Sequence, residues 1–224
     1  MHERQPLNAS ERAALERRRS PLIAQPTFDV VELRRHVNSR SFIPVRPIRR
    51  EPVVHPFTVR CVVVNIREAH DDDWPSIYPI FSAIVAAGES YAYPTNLSLD
   101  DARGWWMDGA PSRVVVAVDE GRIVGSAKAG PNRPGRGAHV ATASFMVDPN
   151  AQGRGVGREL GLNVIAWARA EGYSAMQFNA VVETNVSAVK LWRSLGFDVL
   201  ATVPEAFDSK EHGLVGLHIM YLRL

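Results

Sequence analysis

The spacing of apolar residues along the chain predicts helices and strands from Thr58 onward. Val59 to Ile66 is a β-branched and apolar run, which is typical of a strand. Further on, one helix face is indicated by the apolar residues Trp74, Ile77, Ile80, Phe81 and Ile84. Asp71 to Asp73 come directly before this face. Consecutive residues of a helix point in different directions around its axis, so these carboxylates predict an N-cap and first turn rather than a metal site.

The rest of the chain alternates between strand and helix patterns. Ser98 to Asp101 predicts the cap of a second helix, and Asp119 to Gly121 predicts the turn of a hairpin. We expect strands at Val114 to Val118, Ile123 to Ala129, Val140 to Val147, Met176 to Val182, Phe197 to Val203 and Leu214 to Leu222, and helices from Val156 to about Glu171 and from Asn185 to Leu195. This order predicts an α/β sandwich around one sheet.

The first 57 residues differ from the rest in composition. They hold eleven arginines against six acidic residues, and seven of the fifteen prolines. This shift predicts a basic, proline-rich extension over residues 1–57 and a folded domain over residues 58–224. We expect the extension to be a mostly disordered, solvated tail. Two alternatives stay open: a basic arm that contacts nucleic acid or a partner, and a natural start further downstream. The segment lacks interleaved aromatic residues, which makes nucleic acid the less favoured partner.

The overall composition indicates a soluble globular protein, with 46% apolar residues and a net charge of +2. Cys61 is the single cysteine, so an internal disulfide framework is excluded and a reducing cytoplasm fits. No run approaches the ~20 apolar residues that cross a bilayer. No apolar segment follows the N-terminal charges as it would in a secretory signal. We therefore expect a cytoplasmic protein without a membrane partner.

A glycine-rich turn between a strand and a helix, at Phe145 to Gly157, is the strongest chemical signal. The start of a helix suits an anion, and glycines let a phosphate approach the backbone closely. Two phosphate motifs do not fit: neither G-x-x-x-x-G-K-[ST] nor G-x-G-x-x-G can be placed on Gly153, Gly155 and Gly157. The glycines alone would equally fit a tight turn with no ligand.

The same stretch matches Q-x-x-G-x-G at Gln152, Gly155 and Gly157. This is the pyrophosphate-binding motif of the GNAT acyl-CoA N-acyltransferases, and the sequence resembles that superfamily here. A second motif from Asn185 to Phe197 reads N-x-x-A-x-x-L-[aromatic]-x-x-L-G-F and resembles the second GNAT signature. The resemblance covers Thr58 to Leu224. It implies an α/β GNAT fold, whose mixed central sheet splays between the fourth and fifth strands and carries helices on both faces.

A narrower resemblance appears at Phe178 to Asn185 and at Tyr93-Pro94. These segments are similar to the branch that includes fungal acetyltransferases of proline analogues such as azetidine-2-carboxylate. In that branch, asparagines corresponding to Asn179 and Asn185 belong to the active site. The branch also has an asparagine on the fourth strand where this chain has Thr142, which leaves the substrate open.

The resemblance implies attack of an amine on the thioester of acetyl-CoA, with the pantetheine arm between the fourth and fifth strands. A backbone N–H near Met146 or Val147 would hold the thioester carbonyl and the oxyanion that develops from it. The predicted coenzyme contacts are Gln152, Gly153, Arg154, Gly155, Val156, Gly157 and Arg158 for the pyrophosphate, with Lys190 as a further cation, and Asn185. For the two arginines, an exposed basic helix face is the alternative.

The attacking amine must lose a proton, because an aliphatic amine has a pKa near ~10. Glu89, in the loop expected to face the substrate, and Glu183, at the end of the fifth strand, are the candidate bases. For each, an ordinary surface carboxylate is the alternative, and burial with a raised pKa would mark the base. Many GNAT enzymes carry a tyrosine at the aromatic position of the second motif to protonate the leaving thiolate. Here that position is Trp192, whose indole cannot be that acid.

The leading hypothesis is an N-acetyltransferase that uses acetyl-CoA as its acyl-donor cosubstrate and a small amine or amino acid as acceptor. A homodimer is left open as its assembly. One alternative is an acyl-CoA sensor that binds without turnover, and another is an enzyme that acetylates a protein terminus or lysine. The histidines, such as His139 and His218, lack metal-ligand spacing, so no metal is predicted.

Overall fold

One mixed sheet organises the part of the chain that the computed structural model describes, residues 64–107 and 109–224. The strands are β1 (Asn65–Glu68), β2 (Arg113–Asp119), β3 (Arg122–Pro131), β4 (Val140–Val147), β5 (Ala175–Val182), β6 (Asp198–Ser209) and β7 (Gly213–Arg223). The helices are α1 (Trp74–Ala87), α2 (Leu99–Trp106), α3 (Val156–Ala170) and α4 (Val186–Ser194). The boundary predicted near residue 57 lies outside the described residues.

The sheet order is β1-β2-β3-β4-β5-β7-β6. Every neighbouring pair is antiparallel except β4 and β5, which run parallel. Two parallel neighbours need a crossover between them, and α3 provides it. The predicted α/β fold with a mixed sheet is therefore confirmed.

Helices cover both faces of the sheet, and the central strands are buried accordingly. In β2, Val115 and Ala117 face the cluster under α3 and α4, while Val114 and Val116 face the cluster under α1 and α2. All four side chains are buried, which explains why this strand reads as a continuous apolar run instead of an alternating one. Within the described residues, no helix combines the length and apolar character that crossing a bilayer requires.

The start of α1 differs from the prediction. Asp71 to Asp73 form a single 3-10 turn, and the α-helix begins at Trp74. The carboxylate of Asp73 accepts hydrogen bonds from the His70 N–H at 2.8 Å and from both terminal nitrogens of Arg67 at 2.7 and 2.9 Å. Asp73 thus ties the helix start to β1 through Arg67, a contact that depends on tertiary placement.

This ion pair predicts an acid-sensitive contribution to stability. The hydrogen bond from Arg67 lowers the pKa of Asp73 from its ordinary 3.8 to about 2. A depressed carboxyl pKa stabilises the fold above the unfolded-state value and loses that effect as pH falls through the folded-state value. Because Arg67 is partly exposed, we expect Asp73→Asn to cost about 1–2 kcal/mol of unfolding free energy at pH 7.

Denaturant unfolding of wild type and Asp73→Asn at several pH values checks this. The difference between them should shrink as pH falls from about 4 to about 2. Asp72→Asn, at an exposed neighbouring position, is the control and should cost little at any pH. A wild-type advantage that is equal at pH 7 and pH 2 would contradict the prediction.

The last two strands are longer than predicted. Prediction ended the sixth strand at Val203, whereas β6 continues to Ser209 and pairs with β7 as far as Ser209↔Gly213. Residues beyond Val203 show no apolar alternation because β6 is the edge strand and is mostly exposed. An irregularity between Val203 and Phe207 accommodates Pro204, which an edge strand tolerates. The first strand was predicted from Val59 to Ile66. Among the described residues it is β1, which ends at Glu68, two residues past the predicted end.

Candidate active site

A gap opens between β4 and β5 at the centre of the sheet. The two strands pair only at Val140↔Ala175 and Ala141↔Met176, and they separate beyond these residues. On its other side β5 pairs with β7, so β5 leaves β4 without leaving the sheet. The splay that the family resemblance implied is thus present.

Backbone alternation decides which groups of β4 face this gap. The N–H of Asp148 donates to the Val124 carbonyl of β3, and Met146 pairs with Ser126 of β3. Neighbouring residues of a strand direct their backbone groups to opposite sides. Of the two predicted donors, Met146 therefore faces β3, and Val147 directs its N–H into the gap.

Phe145 faces the same side of β4, and a tyrosine occupies its backbone groups. The Tyr91 hydroxyl accepts from the Phe145 N–H at 3.0 Å and donates to the Phe145 carbonyl at 2.8 Å. Tyr91 lies in the loop between α1 and α2. Sequence reasoning placed this loop near the substrate but gave Tyr91 no role.

The glycine loop connects β4 to α3 and is open to solvent. Gly153 and Gly155 have φ values of +74° and +89°, and an added Cβ would meet no atom within 4 Å at either. Gln152 to Gly155 are exposed, and α3 begins directly afterwards at Val156. An exposed loop of left-handed glycines at the start of a fifteen-residue helix suits a phosphate group.

The two predicted arginines flank this loop and have partners within the protein. Arg154 forms an ion pair with Asp119, the last residue of β2, at 2.8 Å. Arg158 donates to the Ser194 hydroxyl at the end of α4 at 3.0 Å. Arg154, Arg158 and the third predicted cation, Lys190, are all exposed to solvent.

Asn185 and Glu89, predicted from separate parts of the chain, line one pocket. This open pocket of about 300 Å³ is formed by Glu89, Thr184, Asn185, Val186, Ser187, Glu211 and His212. Asn185 is the N-cap of α4: its side-chain oxygen accepts from the Ala188 N–H at 3.1 Å. Its side-chain nitrogen donates to the Ser90 hydroxyl at 3.2 Å, which joins α4 to the loop after α1.

Glu89 fastens the loop after α1 to the tip of the β6–β7 hairpin. Its carboxylate accepts from the Ser209 hydroxyl at 2.6 Å and from the Glu211 N–H at 2.9 Å. The Ser209 hydrogen bond leads the effects that lower the pKa of Glu89. Glu89 therefore lacks the raised pKa expected of a base, and its catalytic role stays a prediction.

Glu183 extends the pairing of β5 and β7. Its N–H donates to the Gly216 carbonyl at 3.0 Å, and its carboxylate accepts from the Gly216 N–H. A Cβ on Gly216 would lie 2.8 Å from the Glu183 carboxyl carbon, so this approach requires glycine. Glu183 is exposed, and the pocket that Glu89 lines does not include it.

Asn179 lies on β5 within a chain of amide groups. Its oxygen accepts from the Gln177 amide at 2.8 Å, and its nitrogen donates to the Asn132 amide oxygen at 2.6 Å. Asn132 follows β3 directly, so this chain bridges β3 and β5 beside the start of β4. Thr142, at the position where the fungal branch has asparagine, is half-buried on β4 opposite Gly130.

Comparison with protein-family models matches residues 65–197 to the acetyltransferase (GNAT) family. This range holds both sequence motifs, the β4–β5 gap and the glycine loop. The chain belongs to the GNAT family.

Two named relatives extend the match. The GNAT chain is 30% identical over 112 residues to N-acetyltransferase aca1 of Schizosaccharomyces pombe, which covers 49% of this chain and 54% of that protein. It is 29% identical over 147 residues to the L-methionine sulfoximine/L-methionine sulfone acetyltransferase of Pseudomonas aeruginosa, covering 63% of this chain and 84% of that protein. The chain thus spans about half the length of aca1.

Solved structures agree with this assignment. A GCN5-related N-acetyltransferase from Kribbella flavida is 57% identical, with a TM-score of 0.70 over 72% of this chain and 98% of that chain. The acetyltransferase yncA from Salmonella typhimurium, solved with its cofactor acetyl-CoA, is 27% identical, with a TM-score of 0.65 over 72% of this chain and 94% of that chain.

Trp192, at the aromatic position of the second GNAT motif, is a core residue. It is buried and packs against Phe145, Phe178 and Phe197 at centroid distances of 4.6, 4.9 and 6.1 Å. A Cβ on Gly161 of α3 would lie 3.1 Å from its ring, so glycine allows α3 and α4 to approach closely. In this GNAT domain the position holds the two helices against the sheet.

Three side chains that could bind a metal lie close together, although one of them is far from the other two in the sequence. The side chains of Glu89, Glu211 and His212 bring ligand atoms within 4.8 Å of one another. Exposed acidic groups commonly gather without an ion, so the absence of a metal stays a prediction.

Proposed function

We propose that this GNAT domain transfers the acetyl group of acetyl-CoA to the amine of a small molecule or amino acid. One observation carries the proposal: the gap between β4 and β5 leads to the glycine loop after β4, and Asn185 of the pocket is hydrogen-bonded to Ser90, next to Tyr91 in the gap. A thioester in the gap would then have its coenzyme end at the loop and its acyl end exposed to an acceptor. The acetyl-CoA in the yncA structure supports the choice of donor.

The donor half of the site is built from backbone groups. The loop from Gln152 to Gly157 would hold the pyrophosphate, with Arg154 and Arg158 able to add charge if they leave their present partners. The Val147 N–H would hold the thioester carbonyl. Because that N–H is fixed by the strand, it would stabilise the developing oxyanion without reorganisation.

The roles of the residues around the acceptor amine follow from the bonds that form and break in the reaction. The amine nitrogen would attack the thioester carbon, the C–S bond would break, and the coenzyme would leave as a thiolate that takes up a proton. The amine proton would pass to Glu89 or Glu183, directly or through water. Asn179 would orient the acceptor through its amide. The relative from Pseudomonas aeruginosa acts on an amino-acid analogue, which supports an acceptor of that size.

The leaving coenzyme thiolate would have no tyrosine from the second motif to protonate it. Trp192 is buried in the core and carries no acidic proton at the gap. A coenzyme thiolate is a fair leaving group, so water would suffice as the proton source, with Asn185 orienting it. Positioning the two reactants would then carry much of the rate.

Thiol release over a panel of amines tests the proposal. Acetyl-CoA is supplied with amino acids, amino-acid analogues, small diamines and peptides, and free coenzyme thiol is measured. We expect release with at least one small amine and none without an acceptor. Acetyl-CoA binding with no release for any acceptor would favour the sensor. Release with peptides alone would favour protein acetylation.

The proposal also covers the domain range, the cellular location and the assembly of the chain. We assign the chemistry to residues 58–224, because the family match at residues 65–197 lies inside that range. A cytoplasmic location is proposed from the single cysteine, which fits a reducing compartment. A homodimer stays open as the assembly, and nucleic acid is not proposed as a partner.

A further inference from the structure

Tyr91 stands in the β4–β5 gap where a strand residue would otherwise pair. If the register of Val140↔Ala175 and Ala141↔Met176 continued, a residue of β5 would face Phe145. Instead the Tyr91 hydroxyl takes both the N–H and the carbonyl of Phe145, at 3.0 and 2.8 Å. A buried backbone group without a partner is costly, so this hydroxyl stabilises β4 while the strands stay apart.

The Tyr91 ring belongs to a packed aromatic group, here called the inner wall and formed by Tyr91, Tyr93 and Trp106. Tyr91 stacks on Tyr93 at 5.1 Å and meets the edge of Trp106 at 6.2 Å. Trp106 is fully buried and donates from its indole nitrogen to the Ser126 hydroxyl at 2.9 Å. The inner wall is therefore held in place by the core under α1 and α2.

The Tyr91 phenol keeps its proton at neutral pH. Desolvation raises the pKa of Tyr91 well above its ordinary value. The hydroxyl thus continues to donate to the Phe145 carbonyl at neutral and mildly alkaline pH.

The distance along β4 between Val147 and Phe145 limits the space that an acyl group can occupy before it meets Tyr91. The coenzyme end is expected at the glycine loop, which follows Val147, so the acyl end points from Val147 toward Phe145. Two residues of a strand span about 6.6–6.8 Å. An acyl atom can approach the Tyr91 phenol no closer than the van der Waals contact distance of about 3.5 Å. Subtracting this distance from the span leaves about 3 Å for the acyl group beyond the thioester carbonyl.

We propose that Tyr91 closes the inner end of the β4–β5 gap and restricts the donor to a short acyl group, acetyl being the one that fits. The inference rests on the proposed function, because it takes the acyl-CoA to lie in this gap. It adds a residue that selects the acyl chain, which neither sequence motif contains.

Binding of acyl-CoA esters without any acceptor tests this. Isothermal titration calorimetry measures Kd for acetyl-, propionyl- and butyryl-CoA. Wild type should bind acetyl-CoA about tenfold or more tightly than butyryl-CoA, since misfit of one or two methylenes costs this much or more. Tyr91→Ala removes the ring and should bring the two Kd values within about threefold of each other. Tyr91→Phe keeps the ring and should retain most of the preference.

Two further variants keep the test decisive. Tyr91→Leu fills more of the space than alanine, so it should stay folded and still relax the preference. Tyr78→Phe is the matched control: its hydroxyl also fastens this loop, by donating to the Leu97 carbonyl at 3.0 Å, but does not reach β4. It should keep the wild-type preference. Thermal unfolding of each variant confirms that it is folded.

The outcomes separate the two proposals. If wild type binds no acyl-CoA, the proposed function fails. If wild type binds acetyl- and butyryl-CoA equally, or if folded Tyr91→Ala and Tyr91→Leu keep the wild-type preference, the acyl-length inference is wrong while the proposed function stands.

Discussion

Gly155→Ala is expected to raise the KM for acetyl-CoA by about 10- to 100-fold, whereas Gly172→Ala leaves it unchanged. Gly155 has a φ of +89° at the start of α3, inside the loop expected to hold the pyrophosphate. A Cβ there would stand on an exposed surface that the phosphate must approach. It would also disfavour the left-handed backbone that orients the N–H groups of the loop.

Gly172 is a close structural match without the site. Its φ is +79°, it follows the other end of α3, and an added Cβ meets no atom within 4 Å there or at Gly155. Both substitutions should therefore cost a similar free energy of unfolding, about 1–2 kcal/mol for a left-handed residue with a side chain. Thermal unfolding and acetyl-CoA kinetics of the two variants check this. Equal KM values in two equally destabilised variants would show that the loop does not bind the coenzyme.

Trp192→Ala is expected to lower the free energy of unfolding by about 3–5 kcal/mol. Trp192 is 6% exposed, and its ring lies among three phenylalanines beneath α4. Removing it leaves a cavity where α3, α4 and the sheet meet, and Gly161 has no side chain to fill it. A loss of this size is a large share of the 5–15 kcal/mol typical of a folded domain.

Two comparisons show whether this effect is packing rather than chemistry. Trp105→Ala removes the same group from a position that is 43% exposed, and it should cost about 1 kcal/mol or less. Trp192→Phe keeps an apolar ring, so kcat should stay near the wild-type value. Denaturant unfolding gives the free energies, and thiol release gives kcat. A folded Trp192→Phe that loses activity would show that the indole takes part in the reaction.

Local patterns predicted the centre of the fold well. The strand Val140 to Val147 was predicted to its last residue, because β-branched, small and large apolar residues run without a break to Asp148-Pro149. The cap at Ser98 was also predicted, since N-cap chemistry is local: the side chain accepts from the backbone N–H three residues ahead. Asn185 was predicted only as the first residue of its helix, and the structure shows that it is the N-cap.

What the sequence could not supply was contact between distant segments. Tyr91 and Phe145 are 54 residues apart, and Glu89 and Ser209 are 120 apart. A tyrosine in a polar loop carries no local sign that its hydroxyl will complete a strand. Likewise, the pKa of Glu89 depends on a serine that only tertiary folding brings within reach. A raised pKa was the mark that would identify Glu89 as the base, and the pKa of Glu89 is lowered instead, so its catalytic role stays a prediction.

Hydrogen bonds join the tip of the β6–β7 hairpin to the loop after α1, at the pocket that Asn185 lines. Glu89 contacts Ser209 and Glu211, and the Lys210 N–H donates to the Gly88 carbonyl at 3.2 Å. At the hairpin tip, Glu211 lines the pocket at Asn185, whereas the glycine loop lies between β4 and α3. Under the proposed function, substitutions at the hairpin tip would alter which amine is accepted while the glycine loop is kept, so a new acceptor could evolve on an unchanged donor site.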